Sequence, residues 1–116
     1  SLTDNQAILT AIGNDFGYNE IFTRQLKVLA KSGDVLVGIS ASGNSPNLLE
    51  AFQYAKLNKI KTVAITAFDG GKLLPLRDEG VHVPTELKEY GPAEDAHMVL
   101  DHLIGSYLIR WIQNEK

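Results

Sequence analysis

From Tyr18 onward the apolar residues Ile21, Phe22, Leu26, Leu29 and Ala30 recur at helical spacing, placing one stripe of side chains on one face of an α-helix. Ser32-Gly33-Asp34 ends that pattern. Val35-Leu36-Val37-Gly38-Ile39 then forms an unbroken apolar run, as expected of a central parallel strand covered by helices on both faces. After a polar loop the helical period returns, with Leu48, Leu49, Ala51, Phe52 and Ala55 on the buried side of a helix from Pro46 to about Asn58. Pro46 suits the first helical position and Ser45 the N-cap. A second strand is expected at Thr62–Thr66, and a third at Val81–Pro84, whose terminal proline suits an edge position. Pro92 to about Gln113 reads as one long helix with Ala93, Ala96, Val99, Leu100, Leu103, Tyr107, Leu108 and Trp111 on its apolar side. At the start of the chain, Thr3 or Asp4 can cap a short helix over Gln6–Ala11 that stops at Gly13, followed by turn chemistry through Gly17. This order of elements predicts an α/β fold, a doubly wound parallel sheet flanked by helices.

Length and composition narrow the function. With 116 residues there is room for one domain and one core. A net charge of -3 supplies no basic footprint for nucleic acid and no polybasic patch for anionic lipid. Neither a membrane-length apolar run nor a signal peptide is visible, and the absence of cysteine excludes disulfides and thiolate zinc sites. A cytoplasmic location is therefore expected. The chain opens at Ser1 without a methionine, in what reads as a connection, so a piece of a longer protein is expected.

The chemistry concentrates in Ser40-Ala41-Ser42-Gly43-Asn44-Ser45, between a strand and the following helix. In open parallel sheets ligands bind beyond the carboxyl ends of the strands, beside helix N-termini. Three hydroxyls, an amide, a flexible glycine and a helix N-terminus with partial positive charge together suit an anion without any lysine. The same residues would also serve a plain strand-to-helix turn with Ser45 as its cap, and the pattern alone divides evenly between the two readings. No Gly-Lys-Ser/Thr and no GxGxxG is present in the loop, which disfavours a nucleotide cofactor.

The segment from Asp34 to Asn47 closely resembles the strand, loop and helix start of sugar-isomerase (SIS) domains, and most of all the phosphoheptose isomerase group. Further matches are Ala11–Gly17, Asp69–Gly71, and Asp95-Ala96-His97 through His102. The resemblance implies an SIS-type, flavodoxin-like three-layer sandwich, with residues 1–116 forming a single domain that is the C-terminal two-thirds of a complete one. It places the phosphate-binding residues at Ser40, Ser42, Asn44 and Ser45, with Asn44 also shaping the turn. The sugar-proximal acid falls on Asp15, which could equally cap the helix beginning nearby; the catalytic and metal-binding histidine falls on His102, and a further metal ligand, glutamine in the family, on Glu94. Ala41 stands where the family has a threonine, and Gly91 where it has an aspartate. The family's N-terminal strand, Gly-Asn-Gly-Gly-Ser loop and partner His and Glu are absent from these residues.

On the last helix, Glu94, His97 and Asp101 are spaced i, i+3 and i+7 and share a face, while His102 lies about 80° from Glu94. Such a group could hold a divalent metal, and zinc suits imidazole and carboxylate ligands. Equally, the carboxylates can complement the helix dipole, and His97 can lie on a solvated face. His82 reads as a partly buried, hydrogen-bonded residue, and Tyr90 and Trp111 as packing residues. Asp69-Gly70-Gly71 reads as a turn or as part of the site lining.

The implied activity is aldose-ketose isomerisation of sedoheptulose 7-phosphate to D-glycero-D-manno-heptose 7-phosphate through an enediol, in heptose and lipopolysaccharide precursor synthesis. His102 is the acid/base candidate, and the implied assembly is a homotetramer with sites at subunit interfaces. The rival is a non-catalytic SIS module that binds phosphosugar or a protein partner. Retention of His102 favours the enzyme, and lack of the N-terminal region favours the module.

Overall fold

The computed structural model describes residues 1–115. Helix α1 spans Gln6–Phe16 and is capped by Asn5, whose side chain accepts a hydrogen bond from Ile8 N at 3.0 Å. It passes through Gly13, the expected stop, and ends at Gly17, whose φ of 97° is left-handed backbone. The cap thus lies downstream of Thr3 and Asp4, and turn chemistry is confined to the last residue of the segment assigned to it. The next apolar stripe is divided between a short 3-10 turn, Tyr18–Glu20, and helix α2, Thr23–Leu29. Strand β1, Val35–Ser40, helix α3, Pro46–Leu57, strand β2, Lys61–Ala67, strand β3, Glu79–Val83, and helix α4, Tyr90–Asn114, complete the chain.

The three strands are parallel in the order β1-β2-β3. Register pairs Leu36 with Thr62, Gly38 with Ala64 and Ser40 with Thr66, so these residues share one face of the sheet. That face meets α3, and Leu36, Ala64, Ala51, Phe52, Ala55, Ile60, Leu73 and Leu26 form the main core. Helix α4 lies on the opposite face, where Ala93 joins Ala67, Phe68 and the partly buried Ala41 in a smaller cluster. The chain is therefore a parallel sheet with helices on both sides.

Coverage of the two faces differs from the expectation drawn from β1. Its order in the sheet makes β1 an edge strand among the described residues, with Val35, Val37 and Ile39 about half exposed. Helix α4 meets the sheet only in its N-terminal turns: Ala93 and His97 are its buried residues, whereas Val99, Leu103, Tyr107, Leu108 and Trp111 are exposed. The run Val35–Ile39 is apolar enough for two covered faces, and this chain covers one. Strand β3 does occupy an edge, as its proline suggested.

Candidate functional site

The carboxyl ends of β1 and β2, where α4 begins and α3 starts, carry the loop expected to bind an anion. Ser40 is buried at the end of β1, and its Oγ accepts a hydrogen bond from Gly43 N at 3.1 Å, tightening the turn. Ser42 Oγ accepts from Asn44 N at 3.3 Å. Ser45 occupies the N-cap of α3 with extended backbone, yet its hydroxyl makes no capping bond; its carbonyl accepts from Leu48 N and Leu49 N, both at 3.1 Å. The structural role that the sequence left open for Ser45 is thus filled by the backbone, and the hydroxyl is uncommitted beside the helix N-terminus.

Asn44 is differently employed. Its Nδ2 donates to Ser42 O at 3.0 Å, and its Oδ1 accepts from Lys72 N at 3.1 Å. Both ends of the amide are engaged, one within the loop and one across to the next, which accords with a turn-shaping residue; of the loop's hydroxyls, those of Ser40 and Ser42 already accept a backbone bond and that of Ser45 does not. Asp69-Gly70-Gly71 is a turn in which Gly71 N donates to Asp69 Oδ1 at 3.1 Å, and it packs directly against the serine loop.

The remaining candidates are more scattered. Asp15 lies exposed in the last turn of α1, where its Oδ1 accepts from Asn14 Nδ2 at 2.9 Å. Among the described residues no hydrogen bond ties it to the serine loop. Glu94 and His102 are both exposed on α4, eight residues and so about 12 Å apart along the axis. His97 is buried at 6% exposure, not on a solvated face, so Glu94, His97 and Asp101 are not equivalent neighbours. Its Nε2 has no hydrogen-bond partner among the described residues. Neither periodicity nor spacing singles it out, because α4 carries apolar residues around most of its circumference. His82 meets its expectation: it is half-buried, and Nδ1 lies 3.1 Å from Thr66 Oγ1. Tyr90 packs edge-on against Phe68, with ring centroids 5.1 Å apart, whereas Trp111 is exposed.

For a metal, the donor set is short. Among the described residues no group of three or more His, Asp or Glu side chains comes together. A tetrahedral zinc takes four ligands, and Glu94 and His102 offer two from one helix, so these residues alone do not build a metal centre. An open groove of about 1010 Å³ runs along β1, lined in part by Val37, Ile39, Ser45, Asn47 and Asp101. It joins the helix N-terminus at Ser45 to the uncovered sheet face. No helix among the described residues is long and apolar enough to cross a membrane.

Comparison with known proteins gives this arrangement a lineage. The SIS domain family model matches residues 1–67, more than half of the chain and including the whole serine loop. The chain belongs to the SIS domain family. It is similar to phosphoheptose isomerase from Helicobacter pylori strain Shi470, 39% identical over 115 residues, which cover 99% of this chain and 59% of that protein. The counterpart from Burkholderia pseudomallei strain 1710b is 42% identical over 104 residues, 90% of this chain and 52% of that one. Among solved structures, phosphoheptose isomerase GmhA from Neisseria gonorrhoeae superimposes with a TM-score of 0.79 at 39% identity, covering 88% of this chain and 57% of its own. A phosphoheptose isomerase from Francisella tularensis gives the same TM-score at 29% identity, covering 88% and 54%. The chain spans rather more than half the length of the relatives it matches. The chain therefore shares its fold with those enzymes over the part of them that it represents.

Proposed function

We propose that this chain forms the phosphosugar-binding part of a phosphoheptose isomerase, acting on sedoheptulose 7-phosphate and D-glycero-D-manno-heptose 7-phosphate. The observation that carries the reading is the serine loop: hydroxyls of Ser40, Ser42 and Ser45 at the carboxyl end of a parallel strand, with Ser45 free of a capping duty at the N-terminus of α3. The relatives named phosphoheptose isomerase support its extension from phosphate to a seven-carbon sugar phosphate.

Isomerisation moves a proton between C1 and C2 through an enediol, which calls for a base, an acid and polarisation of the carbonyl. The loop anchors the phosphate end, and that anchoring fixes where C1 and C2 lie. Asp15 is the residue we assign to a sugar hydroxyl. His102 carries the proton, a task suited to imidazole near neutral pH. The second acid/base group comes from residues outside this chain. A bound zinc would polarise the carbonyl, with Glu94 and His102 as two of its ligands and the others contributed from elsewhere. The exposed apolar side chains of α4 support its burial against further polypeptide, because so much apolar surface on one helix is otherwise costly in water; we assign that cover to a homotetramer with sites at subunit interfaces. A cytoplasmic place in heptose and lipopolysaccharide precursor synthesis follows from the same reading.

The test is to incubate the full-length protein with sedoheptulose 7-phosphate and follow heptose 7-phosphate by NMR. We expect turnover by the native protein and a loss of at least about a hundredfold for His102→Ala, the range of one general acid/base. Ligand-induced stabilisation without any turnover would contradict the enzyme and favour a binding module.

A further inference from the structure

The serine loop's shape does not rest on its internal hydrogen bonds alone. Gly43, at φ 62°, packs so closely on the next loop that a Cβ there would fall on Gly70 O. Gly71, at φ 52°, is equally constrained, since a Cβ on it would meet Ser42 O and the Asn44 amide. Two cross-loop hydrogen bonds run alongside: Leu73 N donates to Gly43 O at 2.9 Å, and Lys72 N donates to Asn44 Oδ1 at 3.1 Å. Asp69 Oδ1 in turn accepts from Gly71 N at 3.1 Å and closes the second loop on itself. Leu73 anchors the assembly, fully buried in the main core.

We propose that the loop Asp69–Leu73 is a template that holds the serine loop in its anion-binding shape, with Gly71 as the central positioning residue. The inference rests on phosphate binding at Ser40, Ser42 and Ser45. Backbone touches backbone at the contact, and the left-handed glycines leave no softer route for a side chain. A residue larger than glycine at position 71 therefore displaces Ser42 and Asn44, although it touches no ligand. The converse follows from linkage: if the templated shape is the one that binds, phosphate must stabilise the template by the same factor. Phosphate in the serine loop then slows opening of hydrogen bonds in the other loop.

The experiment uses the full-length protein and two readouts. Amide hydrogen exchange at Lys72 and Leu73 is followed with and without saturating sedoheptulose 7-phosphate. Calorimetry gives its Kd for the native protein and for Gly71→Ala, Asp69→Ala, Asp69→Asn and Ser42→Ala. The expected result is slower exchange at Lys72 and Leu73 on binding, and a Kd raised about tenfold or more by Gly71→Ala. Asp69→Ala should weaken binding by a smaller factor, and Asp69→Asn, which keeps the Oδ1 acceptor, should restore it. Should Gly71→Ala fail to fold, the exchange measurement on the native protein and the Asp69 pair still decide the matter. If Ser42→Ala loses affinity while Gly71→Ala binds normally and exchange at Lys72 and Leu73 is unmoved, the template is overturned and the site stands. Absence of binding by the native protein overturns both.

Discussion

The two faces of the sheet are built to different standards. Against α3, Ala51, Phe52, Ala55 and Ala64 are completely buried, and every strand residue on that side of β1 is covered. Toward α4, Val35, Val37 and Ile39 lie half exposed, and the helix beyond His97 leaves Met98, Leu103, Tyr107 and Trp111 each more than half exposed. Both faces are comparably apolar in sequence, so the difference lies in what is present to cover them. A closed face stabilises the chain by its own packing. An open one leaves apolar side chains in water, as surfaces that bind other polypeptide do. The serine loop lies at the carboxyl end of β1, rooted in the closed face, and its Ser45 borders the groove that runs along that edge strand.

Substitutions that separate the faces sharpen this contrast. Phe52→Ala should have the largest effect, removing about 3–5 kcal/mol of folding stability, as read by denaturant unfolding of the full-length protein. Leu103→Asp should leave the far-ultraviolet spectrum unchanged while lowering the mass found by sedimentation equilibrium, with subunit dissociation at least about tenfold tighter in the native protein. An unchanged mass would mean that the open face of α4 is not a subunit contact. The smallest effect is expected at the amino ends of the strands, remote from the loop. Thr62 N and Thr62 Oγ1 both donate to Asp78 Oδ2 at 2.8 Å, and the backbone bond first, then the hydroxyl, hold the Asp78 carboxyl below its ordinary range. A depressed carboxyl contributes stability above its unfolded pKa that is lost as pH falls through the folded value. Asp78→Asn should therefore lower the melting temperature slightly at pH 7 and flatten its fall on acidification, with sugar-phosphate affinity unchanged.

Much of the α3 side was legible in the sequence. The run Val35–Ile39, Pro46 at a helix start and the stripe through Phe52 each carry a local signal, and the strand, loop and helix appear where those signals place them. The Gly13 boundary was misplaced because a glycine costs only about 1 kcal/mol inside a helix, and the cap at Asn5 and the left-handed Gly17 decide the ends instead. The buried face of α4 was illegible for another reason. With apolar residues around most of its circumference, only the contact of Ala93 with Phe68 shows which side docks, and it brings His97 inward. At the site, the serines were visible as a motif and Asn44 as a turn-shaping residue, but the cross-loop contact through which Asn44 acts was not. Its partner, Lys72 N, lies 28 residues further along the chain.

The most direct test of the account is ligand-induced stabilisation at the serine loop. The melting temperature of the full-length protein is measured with sedoheptulose 7-phosphate and with sedoheptulose lacking the phosphate, alongside a variant combining Ser42→Ala and Ser45→Ala. The account predicts a rise with the phosphorylated sugar, little with the free sugar, and none in the double variant. An equal rise in the double variant would place the phosphate elsewhere and contradict it.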